Sequence, residues 1–190
     1  MRKACAITFT LFLFGASCCA QIPIPRKATA FFGYSYSGGN VITPSGPAGI
    51  GMNGWEGSLD ATFLPWLSGV VDLDWHYGGV TTLCGRKNCG AIQVNGSRHL
   101  LLFGPRASMK RGSFEPYAQA LLGFAHQSDA TGSVSVTDLG FASGIGGGVD
   151  YKLMQAISWR TQLDWIHTQL FSNGHNNIRF STGLAFHFSF

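Results

Sequence analysis

The stretch Gly123–Gly132, "GFAHQSDATG", sets His126 two residues ahead of Ser128. A histidine beside a serine hydroxyl can take its proton and leave a nucleophile fit to attack an ester. Residues i and i+2 of an extended strand share one face, so the pair meets part of the geometry, and Asp129 or Asp138 is placed to orient the imidazole. The plainer reading of the same residues is a histidine where a strand meets a loop.

Other candidates narrow quickly. "LCGRKNCG" brings Cys84 and Cys89 close together in a polar segment. In an oxidising compartment they would form a disulfide, whereas a metal site needs more ligands than this segment holds. "GIGGGVD", Gly144–Asp150, is glycine-rich, but it lies in a strand with no helix after it, so it does not make a phosphate loop. His175, Asn176 and Asn177 could touch a ligand or simply be solvated. No cofactor is implied.

The elements that must position these residues begin after an export signal. "MRKACAITFTLFLFGASCCAQ" has Arg2 and Lys3, an apolar stretch from Ala4 to Ala16, and small residues before Gln21. This reads as a signal peptide over 1–20, too short in its apolar part for a membrane-spanning helix. Acylation at Cys18 or Cys19 is the alternative, although no Leu stands three residues before either. Setting Arg2 and Lys3 aside from the 13 basic residues leaves 11 against 9 acidic ones. That balance, with the cations scattered, excludes a nucleic-acid footprint.

Residues 21–190 form one domain by length. Only 12% of the chain is charged while 13% is aromatic, with 26 glycines. Low charge with many aromatics suits a β protein whose surface does not all meet water. Eight segments alternate with period two: 28–37, 54–64, 67–77, 97–107, 114–126, 139–151, 157–167 and 178–190. The connections alternate strictly, long then short, and antiparallel strands would gather all short turns at one end. Tyr36, Trp55, Trp75, Tyr77, Phe141 and Trp165 fall near the long-loop end of their strands. Phe63, Trp66, Tyr151, Trp159 and Phe186 to Phe190 fall near the other. Two aromatic levels with apolar residues between them predict an all-β, eight-stranded antiparallel up-and-down transmembrane barrel, with short periplasmic turns and long extracellular loops.

From "ATAFFGYSYS" to the terminal "GLAFHFSF" the chain resembles the OmpA-like family of small outer-membrane barrels, in its transmembrane part alone. That resemblance implies the bacterial outer membrane, contact with its lipid, and passage through the barrel-insertion machinery. It also implies that Phe186, Phe188 and Phe190 form the insertion signal. It carries no cell-wall tether, since no peptidoglycan-binding domain follows. The expected work is structural or interactive and not enzymatic, with the external loops contacting an unknown ligand.

Two alternatives stay open. The inward polar face would hold Glu56, Asp60, Asp72, Asp74, Glu115, Asp150 and Asp164 against Arg98, Arg106, Arg160 and Arg179, an acidic excess suited to a narrow cation-leaning pore. Hairpin arithmetic sets Arg106 across from Glu115, Asp150 near Arg160, and Asp164 across from Arg179. Buried charges demand such pairing, and a plug that satisfies itself is the expected outcome. The second alternative is enzymatic: His126 and Ser128 resemble the His-x-Ser of the lipid A deacylase family, but the Asn that follows the serine there is absent. A lipocalin, suggested by "GWEG" at Gly54, would put its apolar face inward instead.

Overall fold

The computed structural model describes Pro25 and residues 27–43, 46–83, 91–131, 134–171 and 173–189. The leader 1–20, Cys84, Cys89 and Phe190 lie outside the described residues. Eight antiparallel strands close into a barrel in chain order. They are β1 (Lys27–Thr43), β2 (Gly46–Leu64), β3 (Leu67–Leu83), β4 (Ala91–Ser108), β5 (Phe114–Thr131), β6 (Val134–Lys152), β7 (Ile157–Leu170) and β8 (Asn173–Ser189). Closure runs from Lys27 opposite Ser189 to Ser37 opposite Arg179, so over that span neither terminal strand keeps a free edge.

The stagger follows from the register. Stepping from partner to partner, Asp150 leads to Arg160, Gly183, Gly33, Glu56, Asp74, Leu100, Ala125 and finally Gly140, back on β6 but ten residues from the start. A displaced closure of this kind requires strands tilted by roughly 40° to the barrel axis. Every residue on that path lies on the inner face.

Alternation decides which side chains meet which medium. On β7, Ser158, Arg160, Gln162, Asp164, Ile166 and Thr168 are buried, while Trp159, Leu163 and Trp165 are exposed. The outer wall carries Leu59, Val71, Leu101, Phe103, Leu122, Phe124, Ile145, Leu163 and Ile178, all exposed. No water-soluble surface is built from a closed band of this kind. Tyr34, Trp55, Trp75, His99 and His126 are successive register partners across β1 to β5. They form one row of rings near the loop end. Trp66, Phe114, Tyr151, Trp159, Phe186 and Phe188 are exposed toward the turn end. Two such levels mark the two water–lipid boundaries of a spanning barrel.

Three expectations are corrected. The strands are 14 to 19 residues long, beyond the ten or so that a bilayer requires. Most of the expected long loops are therefore continuations of the sheet: Gly38–Thr43 still pairs with Gly46–Gly51, and Gly78–Leu83 with Ala91–Gly96. Glycine and polar residues hide the alternation there, but each backbone still offers one donor and one acceptor to the ladder. The turn between β4 and β5 lies further along than 108–113 suggests. Arg111 and Phe114 exchange backbone hydrogen bonds of 2.8 and 3.1 Å around Gly112 and Ser113, and Gly112 takes a φ of 63°, as a two-residue hairpin with leading glycine requires. Finally, the lumen is not wholly polar. Val70, Leu100, Leu102, Leu121, Ala125, Ala142, Ile166 and Leu170 form an inward apolar cluster along β3 to β7.

Candidate functional site

Turnward of that cluster on β4 to β7, and beside it on β2, β3 and β8, the lumen is crossed by a connected polar network. Nearest the turn end, Arg160 donates through Nε to Asp150 Oδ1 at 2.7 Å and through Nη2 to Asp60 Oδ2 at 3.0 Å. Arg106 Nη1 reaches the same Asp60 oxygen at 2.5 Å, and its Nε and Nη2 donate to Gln119 Oε1 at 3.0 and 2.6 Å. Both guanidinium groups lie over the ring of Tyr117, at 4.2 Å for Arg106 and 5.1 Å for Arg160.

The middle of the lumen belongs to Arg179. Its Nη1 donates to Asp72 at 2.7 Å and Asp74 at 2.8 Å, its Nη2 to Asp164 at 2.8 Å, and Glu56 lies 3.5 Å from its Nε. Gln119 and Gln162 join this layer to the one below: Gln119 donates to Asp164 at 2.8 Å, Gln162 donates to Glu56 at 2.5 Å, and the Tyr117 hydroxyl donates to Gln162 at 2.6 Å. A buried charge without such partners would cost several kcal/mol. Two of the inward glycines of β6 make room for the layer, and a third makes room for the apolar cluster. A Cβ on Gly146 would sit 2.0 Å from Asp164 Oδ1, and one on Gly148 would sit 2.6 Å from the Tyr117 hydroxyl. A Cβ on Gly144 would crowd Ile166 at 2.7 Å.

Toward the loop end, His76 bridges Ser35 Oγ at 2.9 Å and Asp74 Oδ1 at 3.1 Å. Serine, histidine and aspartate in that order have the hydrogen bonds of a nucleophilic triad. All three are fully buried, and Ser35 Oγ already has Ser181 Oγ at 2.9 Å, so no carbonyl can reach the hydroxyl. Above them Arg98 donates to Ser37 Oγ at 2.5 Å and to the Gly38 carbonyl at 3.3 Å. With its amide nitrogen turned toward the Gly38 carbonyl, Asn177 accepts from Arg98 Nη1 at 3.1 Å.

Of the pairs expected from sequence, Asp150 meets Arg160, and Asp164 meets Arg179. Arg106 and Glu115 do not meet. The shifted turn sets Arg106 opposite Gln119 and Glu115 opposite Asp150, and Glu115 instead accepts from Ser108 at 2.9 Å with Lys110 at 3.7 Å. Period two on β3 already placed Asp72, Asp74 and His76 on one face. The contacts Asp60–Arg106, Tyr117–Gln162 and Ser35–His76 join strands that are not neighbours, and no hairpin rule reaches across a lumen.

The enzymatic pair takes a different position. His126 faces outward, its ring stacked on His99 with centroids 6.2 Å apart. Asp129 is buried on the opposite face, accepting from Gln127 at 3.0 Å, and Asp138 accepts the backbone N–H of Phe171. Alternation thus separates the base from Asp129, and Asp138 is engaged elsewhere. Phe186 and Phe188 are exposed on the outer wall of β8. Among the described residues no group of three or more His, Cys, Asp or Glu side chains is arranged to hold a metal ion.

No family model matches the sequence, and no curated protein does. Solved structures do match. Neisserial surface protein A aligns with a TM-score of 0.60 at 11% identity, over 86% of this chain and 97% of its own. The attachment invasion locus protein Ail of Yersinia pestis, in complex with the heparin analogue sucrose octasulfate, aligns at 0.58 and 12% identity, over 85% and 98%. The outer membrane protein OprG of Pseudomonas aeruginosa aligns at 0.55 and 12% identity, over 88% and 98%. With its lipid-facing wall and its closed, staggered register, this chain has the fold of the small eight-stranded transmembrane barrels of the outer membrane.

Proposed function

We propose that the protein is a non-conducting, non-enzymatic barrel of the bacterial outer membrane whose extended outer ends present a contact surface. The observation that carries this reading is Arg179, fully buried in mid-lumen between Asp72, Asp74 and Asp164. A guanidinium held on several carboxylates, with Arg160 and Arg106 clamped below it, leaves water no continuous path. The excess of acid over arginine, which would favour cations in an open channel, is spent on that network. The outer ends support the second half of the reading. From Trp75 to Leu83, and back from Ala91 to His99, the β3–β4 hairpin continues past the aromatic row. At ~3.3 Å per residue, such a hairpin stands well clear of the headgroups.

In this reading residues 1–20 are a cleaved export signal and 21–190 are the barrel. Cys84 and Cys89 form a disulfide in one external tip, and Phe186, Phe188 and Phe190 guide insertion. The ligand of Ail in its complex makes a sulfated glycan a rational first probe, and Arg86 and Lys87, between the cysteines, are the cations to neutralise. The test has two parts. Purified barrel that shifts on heating in SDS gels should stay silent in planar bilayers; steady conductance would overturn the closed reading. A Gram-negative host displaying the protein should gain adhesion to epithelial cells or immobilised glycans. Equal adhesion with and without the barrel would remove the contact role.

A further inference from the structure

We propose that the turn end of the barrel binds an anionic membrane phospholipid, its phosphate on Lys110 and Arg111 and one acyl chain in a groove beside Trp66. This rests on the membrane reading above. Among the described residues every exposed lysine or arginine is at the turn end: Lys27, Lys110, Arg111 and Lys152. The other described arginines are sealed in the lumen. Among the described residues Glu115 is the carboxylate that pairs with Lys110. It is half-buried, shared between Ser108 and Lys110, and its contact with Lys110 is long at 3.7 Å. The rim therefore keeps a positive excess, and Lys110 remains 62% exposed.

The groove lies on the outer wall just above those cations. It has a volume of about 270 Å³ and is lined by Trp66, Ala107, Ser108, Met109, Pro116, Tyr117 and Ala118. Ala107 and Ala118 are register partners on β4 and β5, both facing outward, with Pro105 and Ala120 at the next outward positions and Phe103 and Leu122 beyond them. Small side chains at Ala107, Ala118 and Ala120, with Gly147 opposite Ala118, leave a trough below the bulkier Phe103 and Leu122. The Ser108 N–H donates to the Trp66 carbonyl at 2.9 Å, which fixes the indole-bearing turn against the trough's edge. The chain then runs directly from the lining residue Met109 into Lys110 and Arg111. An apolar slot whose lining residue Met109 is followed in the chain by two exposed cations matches a diacyl phospholipid with a charged headgroup. A zwitterionic lipid would fill the slot without answering the charge. A soluble anion would answer the charge without filling the slot.

The test uses the folded mature barrel reconstituted in vesicles of equal parts phosphatidylglycerol and phosphatidylcholine, then extracted gently and read by native mass spectrometry. Phosphatidylglycerol should be retained over phosphatidylcholine by about five-fold or more, the factor that one cation near an anionic headgroup supplies. The double variant Lys110→Gln/Arg111→Gln should bring retention to parity. Ala118→Trp, which fills the trough, should lower retention of both lipids. Lys27→Gln/Lys152→Gln, on the same rim but away from the groove, should leave the preference intact. Parity in the wild type, preference surviving in the Lys110/Arg111 variant, or equal loss in the Lys27/Lys152 variant would each overturn the site. Preferential retention of added lipopolysaccharide would do the same. A failure of the membrane reading is separately visible, as protein that shows no heat-dependent gel shift and dissolves without detergent.

Discussion

Trp55 and Trp75 face each other across the β2–β3 ladder on the barrel's outer wall, their rings stacked with centroids 4.2 Å apart. Phe32 leans on Trp55 at 5.6 Å, and His99 meets the edge of Trp75 at 5.6 Å. Offset aromatic pairs contribute about 0.5–1.5 kcal/mol beyond their burial. Here the rings also lie at the height where amphipathic side chains favour a lipid boundary.

The placement of tryptophan gives a direct test of orientation. Trp55, Trp66, Trp159 and Trp165 are exposed on the outer wall and Trp75 partly so, leaving none of the five in the lumen. Brominated acyl chains should therefore quench most of the emission of the reconstituted protein, while aqueous iodide should quench little. Strong iodide quenching with no effect of bromolipid would mean that the apolar face is not in hydrocarbon.

Removing Arg179 should be among the most damaging single changes. Arg179→Met leaves Asp72, Asp74 and Asp164 facing one another without a counter-charge. Breaking a buried ion network from one side costs about 3–5 kcal/mol. Guanidinium unfolding in micelles should show a loss of that order, with Arg179→Lys intermediate, because ammonium keeps the charge but not the planar fork. A loss below about 1 kcal/mol would place this network among exposed pairs, contrary to its burial.

Two glycines should respond in opposite directions. Gly146→Ala places a Cβ 2.0 Å from Asp164 Oδ1 and 2.5 Å from the Leu163 carbonyl. The side chain could move, but the backbone cannot do so cheaply, and overpacking of this kind costs about 1–3 kcal/mol. At Gly57 the nearest atoms are 3.6 and 4.0 Å away, so Ala fits and should stabilise by about 0.4–1 kcal/mol through the unfolded chain. Equal midpoints for the two variants would mean that the β6 glycines do not make room for Asp164.

What the sequence revealed follows from how local each signal is. Strand count and facing were readable because period two needs only neighbours. Asp72, Asp74 and His76 therefore stand inside as their spacing requires. Asp150–Arg160 and Asp164–Arg179 were readable because each pair belongs to adjacent strands. Arg106 was misplaced because the turn sits on Gly112, where φ is 63°, and a hairpin slipped by two residues on each side exchanges every partner. The apolar half of the lumen was also hidden. Leu100, Leu102 and Leu121 carry no alternation against the leucines that face lipid, since both faces of those strands are greasy.

His126 and Ser128 yield a negative prediction. The imidazole is part of an outward row of rings, Asp129 lies through the wall from it, and Asp138 is occupied by Phe171. Lipid A from cells with the protein, without it, and with His126→Ala or Ser128→Ala should have the same acylation by mass spectrometry. A missing acyl chain that returns with either alanine variant would restore the enzymatic reading.

Conductance separates the layers of the lumen. Arg179→Ala opens the middle, yet Arg160 still bridges Asp150 and Asp60, Arg106 still holds Asp60, and Tyr117 still lies under both. That single variant should remain silent in planar bilayers. Removing Arg160 as well takes away the second bridge and leaves six buried carboxylates of the network, Glu56, Asp60, Asp72, Asp74, Asp150 and Asp164, facing Arg106 and Arg98. The unpaired carboxylates draw in water and cations, so Arg160→Ala/Arg179→Ala should flicker open with a preference for potassium over chloride. Each recording needs the same preparation to show a heat-dependent gel shift, so that silence is not mistaken for an unfolded barrel. Steady current from Arg179→Ala alone would make that one guanidinium the whole seal. Anion preference in the double variant would contradict the acidic lining itself.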